Sequence, residues 1–313
     1  MADSFYRSQA DLLPERAAPI ATTGLLGWLR SNLFGGWFNT ILTLIGLYLV
    51  WLVVPSILDW AFFDADIAGE DRFACTSKGA CWAWLDQRIN QFLYGFYPAG
   101  ERWRVNLAII LLVPALVPLL FDRVPGARYG RWFSLAYPVI ATILLIGGLG
   151  LESVPTHKFG GFMLNITVGL AGIILSLPIG IILALGRRSN LPIVRILSVI
   201  FIEVFRGVPL ITLLFVAAIL LPIFMPPKVS FDLVVRVIVV VTAFASAYMA
   251  EVIRGGLQAI PRGQYEAAQA LGLGYWKMMG LIVLPQALKI SIPGIVNTFI
   301  GLFKDTTLVI VIG

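Results

Sequence analysis

Apolar runs long enough to cross a bilayer recur along this chain, and that repetition leaves few folds open to it. A helix needs roughly 20 mostly apolar residues to span a hydrocarbon core of about 30 Å. Runs of that kind lie at 37–58, 105–121, 132–151, 162–185, 193–224, 231–253 and 287–303. Inside hydrocarbon each backbone N–H and C=O must be paired within the protein, so open runs of this length become helices. The expected fold is therefore all-α and integral to the membrane, a polytopic helical bundle with about seven spans. Composition excludes the main alternative: only 13% of the 313 residues are charged and 59% are hydrophobic, about half the charge of an ordinary soluble domain. The net charge of +6 does not point to nucleic acid, because the basic residues sit at the ends of apolar runs instead of forming a stripe. The lipid bilayer is the expected partner, and no nucleic acid is.

Residues 1–36 mix Asp3, Asp11 and Glu15 with Arg7, Arg16 and Arg30, which predicts a polar tail and not a signal peptide. Placing this tail in the cytoplasm puts Arg123, Arg128, Arg131, Arg187, Arg188, Arg195, Arg254, Arg262, Lys277 and Lys289 on the same side. Basic residues in short loops set orientation more strongly than those in long ones, so the long loop 59–104 is assigned to the outside. The closing run at 308–313, Leu-Val-Ile-Val-Ile-Gly, ends without a charge, and an eighth span is expected to continue from it. Cys75 and Cys81 both fall in the outer loop. An oxidising periplasm would favour a disulfide there, and two unpaired thiols are the alternative. Trp82, Trp84, Tyr94 and Tyr97 in the same loop fit an interfacial aromatic belt.

The most informative stretch is the polar interruption that follows the run at 231–253. Pro261 and Gly263 break the preceding helix, residues 264–271 are rich in helix formers, and Gly272 with Gly274 permits a sharp turn into a second short helix that ends before Pro285. Ala267, Ala268 and Leu271 give the first of these helices a small apolar face, with Glu266 near its start favoured by the helix dipole. Such a knob suits a groove on another protein.

Glu266, Ala267, Ala268, Gly272, Ile282, Leu284 and Pro285 stand as E-A-A, three residues, G, nine residues, I-x-L-P. This resembles the EAA signature of permease subunits of ABC importers at every fixed position and in both gaps. The stretches GGFMLNITVGLAG (160–172), IEVFRGVPL (202–210), AYMAEVIRGGLQAIPRGQYEAA (247–268) and FKDTTLV (303–309) look like the polar amino acid branch of that family, over about half the chain. The three amino-terminal spans and the outer loop resemble the longer M-type permease of general L-amino-acid importers in Gram-negative bacteria. The resemblance implies the type I ABC importer transmembrane fold in the bacterial inner membrane. It also implies ATPase subunits docked on the EAA segment, a distinct second permease subunit, and a periplasmic amino-acid-binding protein. ATP and Mg would be bound by the ATPase partners and no cofactor by this chain, a division consistent with the lack of any G-x-x-x-x-G-K-[ST] phosphate loop in it. The implied organisation is a cytoplasmic tail at 1–36, three accessory transmembrane helices at 37–151 with the periplasmic loop 59–104, and an importer core at 152–313 carrying the coupling segment 254–285.

Four polar residues within apolar runs are candidates for the substrate path. Glu203 and Arg206 lie in a long apolar run, where an unpaired charge costs about 2.5–3.5 kcal/mol. At i, i+3 spacing they can pair with each other. Alternatively, the Gly207-Val208-Pro209 break beside them would let the two charges receive the carboxylate and ammonium of a zwitterion. Asn297 and Thr298 either line a polar path or bond to a neighbouring helix. Glu251 and Arg254 read as an interfacial ion pair. His157 stands without the companions a metal site needs, so no metal is expected. A membrane enzyme built on Glu203, Arg206 or Asp305 would need these groups clustered in one cleft, and an ion-driven carrier would have no use for a docking helix.

Overall fold

The computed structural model describes residues 24–69, 72–121, 123–226 and 231–311. Arg7, Arg16 and the last two residues of the closing run lie outside that set. The chain divides into two compact units, 1–87 and 88–313.

In the first unit a short helix α1 (Gly24–Asn32) precedes α2 (Trp37–Leu58), which a π-turn at Asp59–Phe63 prolongs. None of the α2 residues is buried. A helix that is apolar on every face is matched to lipid all round, as the run at 37–58 implied. The region expected as an outer loop is more ordered than its composition suggested. Cys75 and Cys81 are joined by a disulfide, and Cys81 forms an isolated bridge with Asp66. Asp66 accepts the Ser77 backbone N–H at 2.9 Å, and its Ser77 contacts hold the carboxyl below the usual range. The Trp82 indole donates to the Ala61 carbonyl at 2.6 Å. From Trp82 the chain enters an unanticipated helix, α3 (Trp82–Tyr94). Its apolar residues are interleaved with Asp86, Gln87 and Arg88, so no long apolar run marks it.

In the second unit α4 (Arg102–Leu120) and α5 (Ala127–Ile146) form an antiparallel hairpin. Ser134 Oγ donates to the Ala115 carbonyl at 2.6 Å and Tyr137 to the Ala108 carbonyl at 2.9 Å, so polar groups join the two helices across apolar surroundings. The span expected at 132–151 ends early, at Ile146. Gly147, Gly148 and Gly150 adopt φ of 103°, 117° and 92°, values that side chains resist, and they close the helix into a turn.

The remaining helices form the core. They are α6 (Gly161–Arg187), α7 (Pro192–Gly207), α8 (Leu210–Phe215), α9 (Leu221–Phe224), α10 (Leu233–Gln258), α11 (Arg262–Ala270), α12 (Tyr275–Met278) and α13 (Leu284–Asp305). α10 is central and packs against both α6 and α13. A Cβ on Gly256 of α10 would strike Ser291 Oγ and the Ala287 carbonyl, so the missing side chain sets how closely α10 and α13 approach. The run at 193–224 is broken as expected: α7 meets the α8–α9 segment at 102° across Val208 and Pro209. A π-turn at Val216–Leu220 lies between α8 and α9. Arg236 of α10 donates to the Ala217 and Ala218 carbonyls at 2.8 and 2.9 Å, occupying acceptors that the irregular turn leaves open.

Candidate coupling surface and translocation cavity

The expected coupling segment 254–285 opens inside α10, whose last residues 254–258 belong to it and which ends at Gln258. Pro261 precedes α11, and that helix closes on Gly272 at φ 72°. Leu273 N–H donates to the Ala268 carbonyl at 3.1 Å and Gly272 N–H to the Gln269 carbonyl at 2.9 Å. This pair of bonds is the Schellman closure, which needs a left-handed residue at Gly272. Nothing lies within 4 Å of where a Cβ would stand on Gly272. Of the two roles for this glycine, close approach and left-handed backbone, the chain's own conformation requires the second.

Expectation and structure part at two points here. The second short helix does not end before Pro285: α12 passes through a π-turn at Met279–Val283 into α13, giving one helical stretch over Tyr275–Val309. Proline is tolerated because it sits at the first positions of α13, immediately after that turn. The expected apolar face of α11 is also divided between two directions. Ala268 is 1% exposed and packs with Met278, Met279, Val283 and Ala287, so it holds α11 onto its own bundle. Glu266 and Ala267 are exposed, and Leu271 and Trp276 expose 76% and 78% of their surface. Ile282 and Leu284 are half-buried and Pro285 is exposed. The outward surface at α11 therefore includes Glu266, Ala267 and Leu271 with Trp276 following, beside the exposed Gln264, Gln269 and Ala270.

Above this segment lies a network of charges centred on Glu251. Arg187 at the end of α6 reaches Glu251 at 2.8 Å and Glu203 at 2.9 Å. Arg254 reaches Glu251 at 2.8 Å and Arg206 does so at 3.8 Å. The expected pairing of Glu203 with Arg206 gives way to these longer-range partners, because α6 brings Arg187 between α7 and α10 and supplies a nearer cation. The Glu251–Arg254 pair stands as read from the sequence. Arg188 donates to the Leu257 carbonyl at 3.1 Å and to the Tyr265 hydroxyl at 3.3 Å, tying the end of α6 to α11.

A cavity of about 300 Å³ between α10 and α13 is lined by Phe244, Tyr248, Asn297, Thr298, Gly301 and Asp305, among others. Asn297 and Thr298 were expected from the sequence; Tyr248 and Asp305 join them only through the packing of α10 on α13. The Thr298 hydroxyl donates to the Gly294 carbonyl of its own helix at 2.9 Å, while Asn297 and Tyr248 remain exposed along the open side. Glu203 and Arg206 do not line it. Among the described residues no group of His, Cys, Asp or Glu is arranged to hold a metal ion.

Residues 176–313 match the family described as binding-protein-dependent transport system inner membrane component. The inner membrane amino-acid ABC transporter permease protein YhdY of Escherichia coli (strain K12) is 50% identical, over 96% of this chain and 82% of that protein. The glutamate/glutamine/aspartate/asparagine transport system permease protein BztC of Rhodobacter capsulatus is 43% identical, over 99% of this chain and 86% of that protein. A shorter match, at 37% identity over 49% of this chain and 68% of the relative, is to the probable glutamine ABC transporter permease protein GlnP of Bacillus subtilis.

Proposed function

This chain belongs to the family of binding-protein-dependent transport system inner membrane components, and from that membership we propose that it forms part of the translocation path of an importer for polar amino acids. It is a multi-pass permease subunit of an ATP-driven importer, not an enzyme, and works with ATPase and substrate-binding partners. The finer reading assigns each part of the molecule a task. The outward side of α11, with Glu266, Ala267, Leu271 and the turn at Gly272, docks an ATPase subunit that binds ATP and Mg. Ala268, Ile282, Leu284 and Pro285 set the angle at which that surface is held.

The α10–α13 cavity is the substrate path. The observation carrying this reading is that Asn297, Thr298, Tyr248 and Asp305 converge on one open-sided space within otherwise apolar helices. Polar groups at membrane depth mark pathways, and a carboxylate beside amide and hydroxyl groups suits the ammonium of an amino acid. Its open side suits a distinct second permease subunit, which would complete the wall. Co-expression with the partner permease, ATPase and binding protein, followed by reconstitution, gives the test. ATP-dependent uptake of at least one of L-glutamate, L-glutamine, L-aspartate and L-asparagine is expected. Absence of uptake across a full amino acid panel would refute the substrate assignment.

The amino terminus and the coupling segment are placed on the cytoplasmic side, by the weight of basic residues in short loops. In a background lacking Cys75 and Cys81, a cysteine replacing Lys78 should react with an impermeant thiol reagent in spheroplasts, and one replacing Gln264 should not. The reverse pattern would invert the topology.

A further inference from the structure

Arg206 is the point where three parts of the site meet. It is the penultimate residue of α7 and stands immediately before the break at Gly207. Its guanidinium lies 5.6 Å from the centre of the Tyr248 ring, and Tyr248 is part of the cavity wall. Its Nη1 is 3.8 Å from Glu251 Oε2, whereas the other ion pairs of that network close at 2.8–2.9 Å. Arg206 is thus shared between an aromatic face and a carboxylate and holds the looser of the contacts to Glu251. Tyr248 and Glu251 are three residues apart on α10, so they lie on one side of that helix. Seven residues beyond Glu251 that helix ends, and the chain passes through Pro261 into α11.

We propose that Arg206 is a positioning residue that passes occupancy of the α10–α13 cavity to the coupling segment. The proposal rests on the reading of that cavity as the substrate path. Two arrangements are available to the guanidinium. In the one observed, it is divided between the Tyr248 ring and Glu251. When a substrate seats against Tyr248 and shifts the ring, the aromatic contact weakens and Arg206 closes fully onto Glu251. That closure draws the broken end of α7 toward α10. Arg187, bonded at once to Glu203 of α7 and Glu251 of α10, keeps the two helices in register as they move. A ligand shifts such an equilibrium only through contacts that differ between the two arrangements, and the Tyr248 ring is the element that both substrate and Arg206 touch. ATPase docking at α11 would bias the same pair of arrangements from the other end, as reciprocity requires.

The test uses the assembled importer in lipid nanodiscs. ATP hydrolysis is measured without binding protein and with binding protein loaded in turn with L-glutamate, L-glutamine, L-aspartate and L-asparagine. Arg206→Gln and Tyr248→Leu should each reduce the stimulation ratio at least about threefold. Arg206→Lys and Tyr248→Phe, which keep the charge and the ring, should retain most of it. The double variant R206Q/Y248L should be no worse than either single change, because both remove one link. Wild-type stimulation in R206Q would overturn the proposal, and so would a defect in Y248F as deep as that in Y248L. Equal proportional loss of basal and stimulated rates in R206Q would show a mere structural brace and likewise overturn it. If the unmodified complex responds to no member of a full amino acid panel loaded on the binding protein, the functional reading above fails first, and the variants are not its cause.

Discussion

Replacing Ala267 with Arg should abolish recovery of the ATPase with the permease and lower uptake at least about tenfold, while the permease itself folds as before. Ala267 is exposed on α11, and arginine propagates a helix nearly as well as alanine, so nothing inside this chain opposes the change. A long charged side chain on a small docking knob would be forced into the apposed groove. Displacing the complex by about 1.4 kcal/mol is enough for a tenfold loss of association. Co-purification of the ATPase, thermal stability of the isolated permease and uptake would be measured together. Undiminished ATPase recovery would exclude this side of α11 as the contact.

The neighbouring residue should fail in a different way. Ala268→Asp places a carboxylate at a site 1% exposed, among the apolar side chains of Met278, Met279, Val283 and Ala287. An uncompensated buried charge costs on the order of 3–5 kcal/mol, enough to detach α11 from the bundle. The expected result is lower thermal stability and rapid proteolysis between Pro261 and Gly274, even with no ATPase present. A stable permease with unchanged protease resistance would contradict the inward packing of Ala268. Adjacent substitutions thus separate docking from folding, since one side chain points away from the bundle and the other into it.

How much of this was legible beforehand can be judged from the same residues. Helical spans announce themselves through long apolar runs, and the break at Gly207-Val208-Pro209 through residues that disfavour helix. The turn at Gly272 was legible as a turn for the same local reason. The inward aim of Ala268 was not, because an Ala-Ala pair on a short helix offers no apolar asymmetry to say which alanine faces the bundle. Glu203 has a cation three residues along in sequence, yet its partner Arg187 comes from another helix, and only tertiary packing could bring it there. Pro285 misled in the opposite sense: proline commonly stops a helix, but here a preceding π-turn admits it near the start of α13. The cavity lay half in view. Asn297 and Thr298 were visible as polar residues in an apolar run, while Asp305 and Tyr248 became part of it only when α13 met α10.

The π-turn at Val216–Leu220 and Arg236 lie on different helical segments but are bonded to one another. Each is a liability alone: the turn would leave carbonyls short of a donor, and the guanidinium would lose the two acceptors it holds. Together they make a heritable unit. A lineage that straightens this turn into regular α-helix loses its reason to keep the arginine, and one that loses the arginine first must pass through a weakened intermediate. The two positions should therefore change in concert across descendants of this chain, a trace of their contact that would persist in sequences whose structures are never determined.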